Sequence, residues 1–185
     1  MVVIAIMTLL TGVFLFQQRQ FDSTTLLRSL AYSVALSVRQ AQTYGVSVRG
    51  LGGVFSQSHG IYVSSGDLSH YYIFSDLNGD YARESDGSED VETFSLVGQN
   101  FNISKFCVTQ LNDAELCSDG AIIELIILFT RPNPDACFRT DDSPTACSSE
   151  IVYKQASIQL QGPSGVTRSV VITTTGQITV GGVGS

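Results

Sequence analysis

The feature that most restricts this chain is its opening. Residues Met1 to Phe16 carry no charge and are apolar on every helical face, with no proline among them. The polar group Gln17, Gln18, Arg19 and Gln20 follows without a loop signal. After it, Leu27, Leu30, Val34, Val38 and Ala41 recur at spacings of three and four, the signature of one buried helical stripe. Asp22 and Ser23 offer a local cap or break, and Gly45 a stop. The spacing predicts one helix meeting two environments, lipid or other copies of itself over the first third and a sheet over the rest. Sixteen residues at a rise of about 1.5 Å span roughly 24 Å, short of the ~30 Å hydrocarbon core of a bilayer. No basic stretch precedes the run, and no small-residue cleavage site follows it, so it does not read as a cleavable secretory signal.

Past Gly50 the pattern changes to short β-branched and aromatic runs punctuated by glycine, proline and polar clusters. Runs near 60–64, 70–75, 91–97, 101–108, 121–129, 151–160, 167–174 and 177–180 predict an antiparallel head of about seven or eight strands. Ile122 to Phe129 is the most apolar of them and predicts the central strand. Thr175-Gly176 predicts a terminal hairpin turn. The segments are therefore 1–20, a hydrophobic transmembrane or assembly helix; 21–48, the amphipathic half of that helix; and 49–185, a disulfide-tied, β-rich head. The predicted fold class is α+β, with the hydrophobic half of the helix projecting and the amphipathic half packed on one antiparallel sheet.

Charge and cysteines bound the chemistry. A net charge of −7 with scattered Lys and Arg argues against nucleic acid as a main ligand. Cys107, Cys117, Cys137 and Cys147 show no C-x-x-C spacing, and neither histidine sits beside a cysteine, which disfavours zinc. Disulfides of an exported head are the better reading, with three connectivities open; free thiols in a reducing cell are the alternative. Asp76-x-Asn78-x-Asp80, followed by Glu84, places oxygen ligands at alternate positions and makes Ca²⁺ a candidate. Gly79 precedes Asp80 where an EF-hand loop needs its glycine afterwards, and a self-bonded acidic hairpin is the plainer alternative. No nucleophile elbow, P-loop, H-E-x-x-H or G-x-G-x-x-G motif occurs, so an enzyme is not predicted.

The opening Met1-Val-Val-Ile-Ala-Ile6 resembles the interior of the N-terminal signal of type IV pilins and type II secretion pseudopilins. Leu36-Ser-Val-Arg-Gln-Ala-Gln-Thr-Tyr-Gly45 resembles the end of the helix in the pseudopilin H class. The chain departs from the family in having Ala5 and no glutamate among its first five residues, and no glycine cleavage site. A start about six residues inside the mature protein accounts for this and would bring the apolar segment to about twenty-two residues, enough to span a bilayer. The resemblance implies a pilin-like architecture and a structural subunit of an extracellular, type IV pilus-like filament. Its assembly helix would present Val2, Val3, Ile4, Ile6, Leu9, Leu10, Gly12, Val13, Phe14 and Phe16. The implied partners are the bilayer of the inner membrane before assembly, an inner-membrane assembly machinery, and identical subunits in a helical polymer. Alternatives are a minor pseudopilin of a secretion or DNA-uptake pseudopilus, and a membrane-anchored, calcium-dependent binding module.

Overall fold

A computed structural model describes residues 2–47, 57–97, 101–141, 147 and 153–182, with the side chains of 14–22 outside the description. Helix α1 covers Val2–Val46. Several of its hydroxyl groups bond back within it: Thr8 Oγ1 donates to the Ala5 carbonyl, Thr11 Oγ1 to Met7 and Ser33 Oγ to Ser29. At about 1.5 Å per residue the helix is roughly 68 Å long. Gly45 does not stop it. Helix and strand approach so closely there that a Cβ on Gly45 would lie 2.4 Å from the Phe129 carbonyl oxygen.

Among the described residues ten strands follow: β1 (Ser58–Ser64), β2 (Asp67–Asp76), β3 (Asp90–Ser95), β4 (Asn102–Gln110), β5 (Glu115–Cys117), β6 (Glu124–Phe129), β7 (Ala136–Thr140), β8 (Tyr153–Gln161), β9 (Thr167–Thr173) and β10 (Ile178–Gly182). They form two five-stranded sheets, ordered β3-β2-β1-β6-β7 and β10-β9-β8-β4-β5, with every pairing antiparallel. Alternation along the strands fills the core between them. Ile61, Val63, Ile73, Leu125, Ile127 and Phe129 come from the first sheet; Phe106, Val108, Ile158, Leu160, Val170 and Ile172 come from the second.

This corrects the predicted fold class. The predicted picture, a long helix laid on one antiparallel sheet in the pilin manner, is overturned by two sheets, and α1 touches strands of both. Interleaved strands are the cause: residues far apart in the chain, such as those of β1 and β6 or β4 and β8, pair directly. The predicted central strand is also corrected. It starts at Glu124 and lies between β1 and β7, while β1 holds the middle of its sheet. Its unbroken apolar run has another source. Ile126 and Leu128 face away from the main core and are buried in a second cluster with Phe74, beneath Tyr81, Ala82 and Cys147. The sheet is therefore covered on both faces, as continuous apolar strands require. β5 and β7 carried too short a pattern to be predicted. The predicted Arg49–Gly53 connector and Ile151 lie outside the described residues.

The cysteines pair as Cys107–Cys117 and Cys137–Cys147, each closing a separation of 10 residues. The first bridges directly opposed residues of β4 and β5, and the second ties β7 to Cys147, which packs on the outer apolar cluster. Each is worth about 2–4 kcal/mol.

Candidate functional site

Three groupings of side chains bear on function. In the first, Val2, Val3, Ile4, Ile6, Met7, Leu9, Leu10 and Val13 are all between 52% and 73% exposed. Gly12 lies among them, where an added Cβ would meet nothing within 4 Å beyond the helix's own backbone, and both threonine hydroxyls are spent inside the helix. The segment therefore offers a continuous apolar surface with no free polar side chain. The side chains of Phe14 and Phe16 lie outside the described residues. Among the described residues no helix is long and apolar enough to cross a membrane.

In the second grouping, the later turns of the same helix meet the head. Leu27, Val34, Val38 and Ala41 are buried together with Ala31, and Leu30 is partly buried against them. Polar anchors that a hydrophobic pattern does not reveal lie beside this stripe. Gln42, only 6% exposed, donates through Nε2 to the carbonyls of Pro134 (2.8 Å) and Gly176 (3.1 Å). Those carbonyls belong to the β6–β7 and β9–β10 connections, so one amide joins the helix to both sheets. Ser37 shares a buried 3.1 Å hydrogen bond with the Tyr71 hydroxyl, and Gln40 Nε2 donates to Tyr44 and Glu92. The only sequence signal for Gln42 was an uncharged polar residue directly beside the apolar stripe.

The third grouping is the acidic loop between β2 and β3. Asp76 and Glu89 are buried, at 4% and 1% exposure. Asp76 accepts hydrogen bonds from the backbone N–H of Gly79 (2.7 Å) and Tyr81 (3.1 Å). Glu89 accepts from Leu77 (2.8 Å) and Glu84 (3.1 Å). Asn78 Oδ1 accepts from Asp80, Asp80 Oδ1 from Ala82, and Glu84 Oε1 from Asn78 Nδ2. Burial raises the Glu89 carboxyl above the ordinary glutamate range, against the pull of its two amide donors, with Asp76 and Asp80 adding to the rise. Arg83 locks the outside of the loop. It donates to both carboxylate oxygens of Asp90 at 2.5 and 2.6 Å, and its guanidinium lies 4.1 Å from the Tyr72 ring centre and 5.2 Å from that of Tyr62. Arg139 Nη1 donates to the Asp80 carbonyl from β7.

These bonds bear on the calcium prediction. Oxygens of Asp76, Asn78 and Asp80 accept from the loop's own backbone N–H groups, and one of Glu84 accepts from the Asn78 side chain, the pattern of a self-bonded acidic hairpin. Among the described residues one group alone brings three His, Cys, Asp or Glu ligand atoms within 4.8 Å of one another, Cys107, Glu115 and Cys117, and its two sulfurs form a disulfide. The loop instead builds the cover of the outer apolar cluster through Tyr81 and Ala82. The two histidines serve local structure. His70 Nδ1 meets the Asp67 carboxylate at 2.8 Å, and the His59 ring meets Tyr44 edge-on. Comparison with protein families, with curated proteins and with solved structures finds no match.

Proposed function

We propose that this chain is a structural subunit of an extracellular, type IV pilus-like filament, built by helix-to-helix packing of its N-terminal apolar segment. One observation carries the reading: residues Val2 to Val13 expose apolar side chains on all faces, on the same helix whose later turns are buried in the head. Leaving that surface in water costs about 25 cal/mol per Å², so it favours lipid or other copies of itself. Repeated head-to-tail contacts between identical helices, when they do not close, generate a helical polymer. The resemblance in the first fifty residues supports the same conclusion. In this reading the segment rests in the inner membrane until an assembly machinery transfers it into the filament. A scarce subunit of a pseudopilus differs from this in abundance, which the assay below also reads. A calcium-dependent module draws no support from the acidic loop, whose oxygens are engaged.

The test is substitution of aspartate at Leu10 or Val13. An unpaired charge in an apolar helix bundle costs several kcal/mol. Sheared cell-surface fractions viewed by electron microscopy and probed for the chain should contain filaments for the wild type and none for either variant. Both variants should keep the wild-type melting temperature in detergent. Wild-type filament yield from Leu10→Asp would overturn the reading.

A further inference from the structure

The outer face of the second sheet carries a cavity that no described residue fills. Its side chains point away from the core by strand alternation. They form two adjacent cross-strand rows: Lys105 opposite Gln159, which is opposite Ser169, and Cys107 opposite Ser157, which is opposite Val171. Lys105, Glu115, Gln155, Ser157, Gln159 and Ser169 line a hollow of about 280 Å³. Glu115 supplies its acidic side: it pairs with Thr109, one row beyond Cys107, and a carboxylate oxygen lies within 4.8 Å of both sulfurs of the Cys107–Cys117 bridge. Lys105 heads the first row, two residues before Cys107 on the same strand and about 7 Å from it along the chain.

What distinguishes this hollow is unused bonding capacity. Lys105 and Glu115 line it together without closing an ion pair, and among the described residues neither pairs with any other charge. Gln155 Nε2 donates to Thr109 at 3.2 Å, while the Gln159 amide and the Ser157 and Ser169 hydroxyls have no side-chain partner among the described residues. A simple anion would meet Glu115 and a simple cation Lys105. Among the described residues no aromatic ring lines the hollow to stack on a sugar. An amide side chain offers both a donor and an acceptor, the complement of a peptide group. The volume lies just below the ~300–1,000 Å³ of sites for larger ligands.

We propose that this hollow binds a short unblocked peptide, its carboxylate on Lys105, its ammonium on Glu115 and its peptide groups on the glutamine and serine side chains. The site is independent of the filament reading, because it uses none of the helix.

The experiment titrates triglycine into the full chain in detergent micelles, read by calorimetry and by the backbone amide resonances of Ser157 and Ser169. Saturable binding that moves those resonances is expected. Lys105→Met and Glu115→Gln should each weaken it about tenfold or more, as loss of a charge-assisted contact does. Triglycine blocked at both ends, which needs no variant, should weaken by a similar factor. Absence of saturable binding would overturn the proposal. So would equal affinity for the blocked peptide, or glucose moving the same resonances at the same concentrations.

Discussion

The two halves of α1 are built from similar amino acids and have opposite fates. Over residues 2–13 apolar side chains ring the helix, and none of the large ones is less than half exposed. Over residues 27–41 the apolar positions are confined to one stripe, and Leu27, Ala31, Val34, Val38 and Ala41 are fully buried. Apolar content therefore does not decide what the monomer buries. Burial requires a surface of matching shape, and the head supplies one only to the second half. A stripe can be satisfied by one partner; an all-round apolar surface needs partners on every side, which in water only lipid or further helices provide.

The sharpest way to break this contrast is to truncate one leucine in each half. Leu27→Ala should lower the stability of the full chain by about 2–5 kcal/mol in denaturant titrations, because it empties a filled site. Leu9→Ala should leave that titration within about 0.5 kcal/mol of the wild type, as surface changes do. Equal losses from the two would mean that the N-terminal segment is packed within the monomer, and the contrast would fail.

A smaller effect isolates the polar part of the second half. Gln42→Ala removes the donor shared by the Pro134 and Gly176 carbonyls and should cost about 1–3 kcal/mol. Gln40→Ala, which loses contacts nearer the surface, should cost less by the same measurement.

The smallest effect belongs to the head alone. Because the folded-state value of Glu89 is raised, its contribution is fully present below the ordinary glutamate range and is lost as pH rises through the raised value. The melting temperature of the wild type relative to Glu89→Gln should therefore fall as pH rises through that window. A difference that stays constant or grows with pH would show that the two backbone amides, and not burial, dominate at this carboxylate.

Much of the helix was legible because its evidence is local. A spacing of three and four identifies Leu27, Val34, Val38 and Ala41, and an uncharged opening identifies an exposed apolar surface, whatever follows in the chain. The β9–β10 hairpin was legible for the same reason, a turn at Thr175-Gly176 between two alternating runs. The sheet architecture was not. Alternation tells which face a residue takes and is silent about which strand lies beside it, so two interleaved sheets read like one. In the acidic loop, oxygen spacing allowed either a metal or a self-bonded hairpin, and the pattern cannot show where each oxygen points; oxygens of Asp76, Asn78 and Asp80 accept from the N–H groups of Gly79, Asp80, Tyr81 and Ala82. Gln42 and the Lys105–Glu115 hollow depend on residues far apart in the chain, and no window of sequence contains them.

By itself, then, the order of amino acids determined the helix and eight of the ten strands described, with β5 and β7 unread, and it marked one helical segment that has no apolar partner among the described residues. Those properties follow from side-chain period and from the absence of charge, which act within a few turns. Tertiary structure alone decided the division into two sheets, the pairing of Cys107 with Cys117 and Cys137 with Cys147, and the use of the acidic loop as a cover. Each of these depends on contacts closed between distant segments, where the free energy of packing and backbone pairing selects among arrangements that local preference leaves equal.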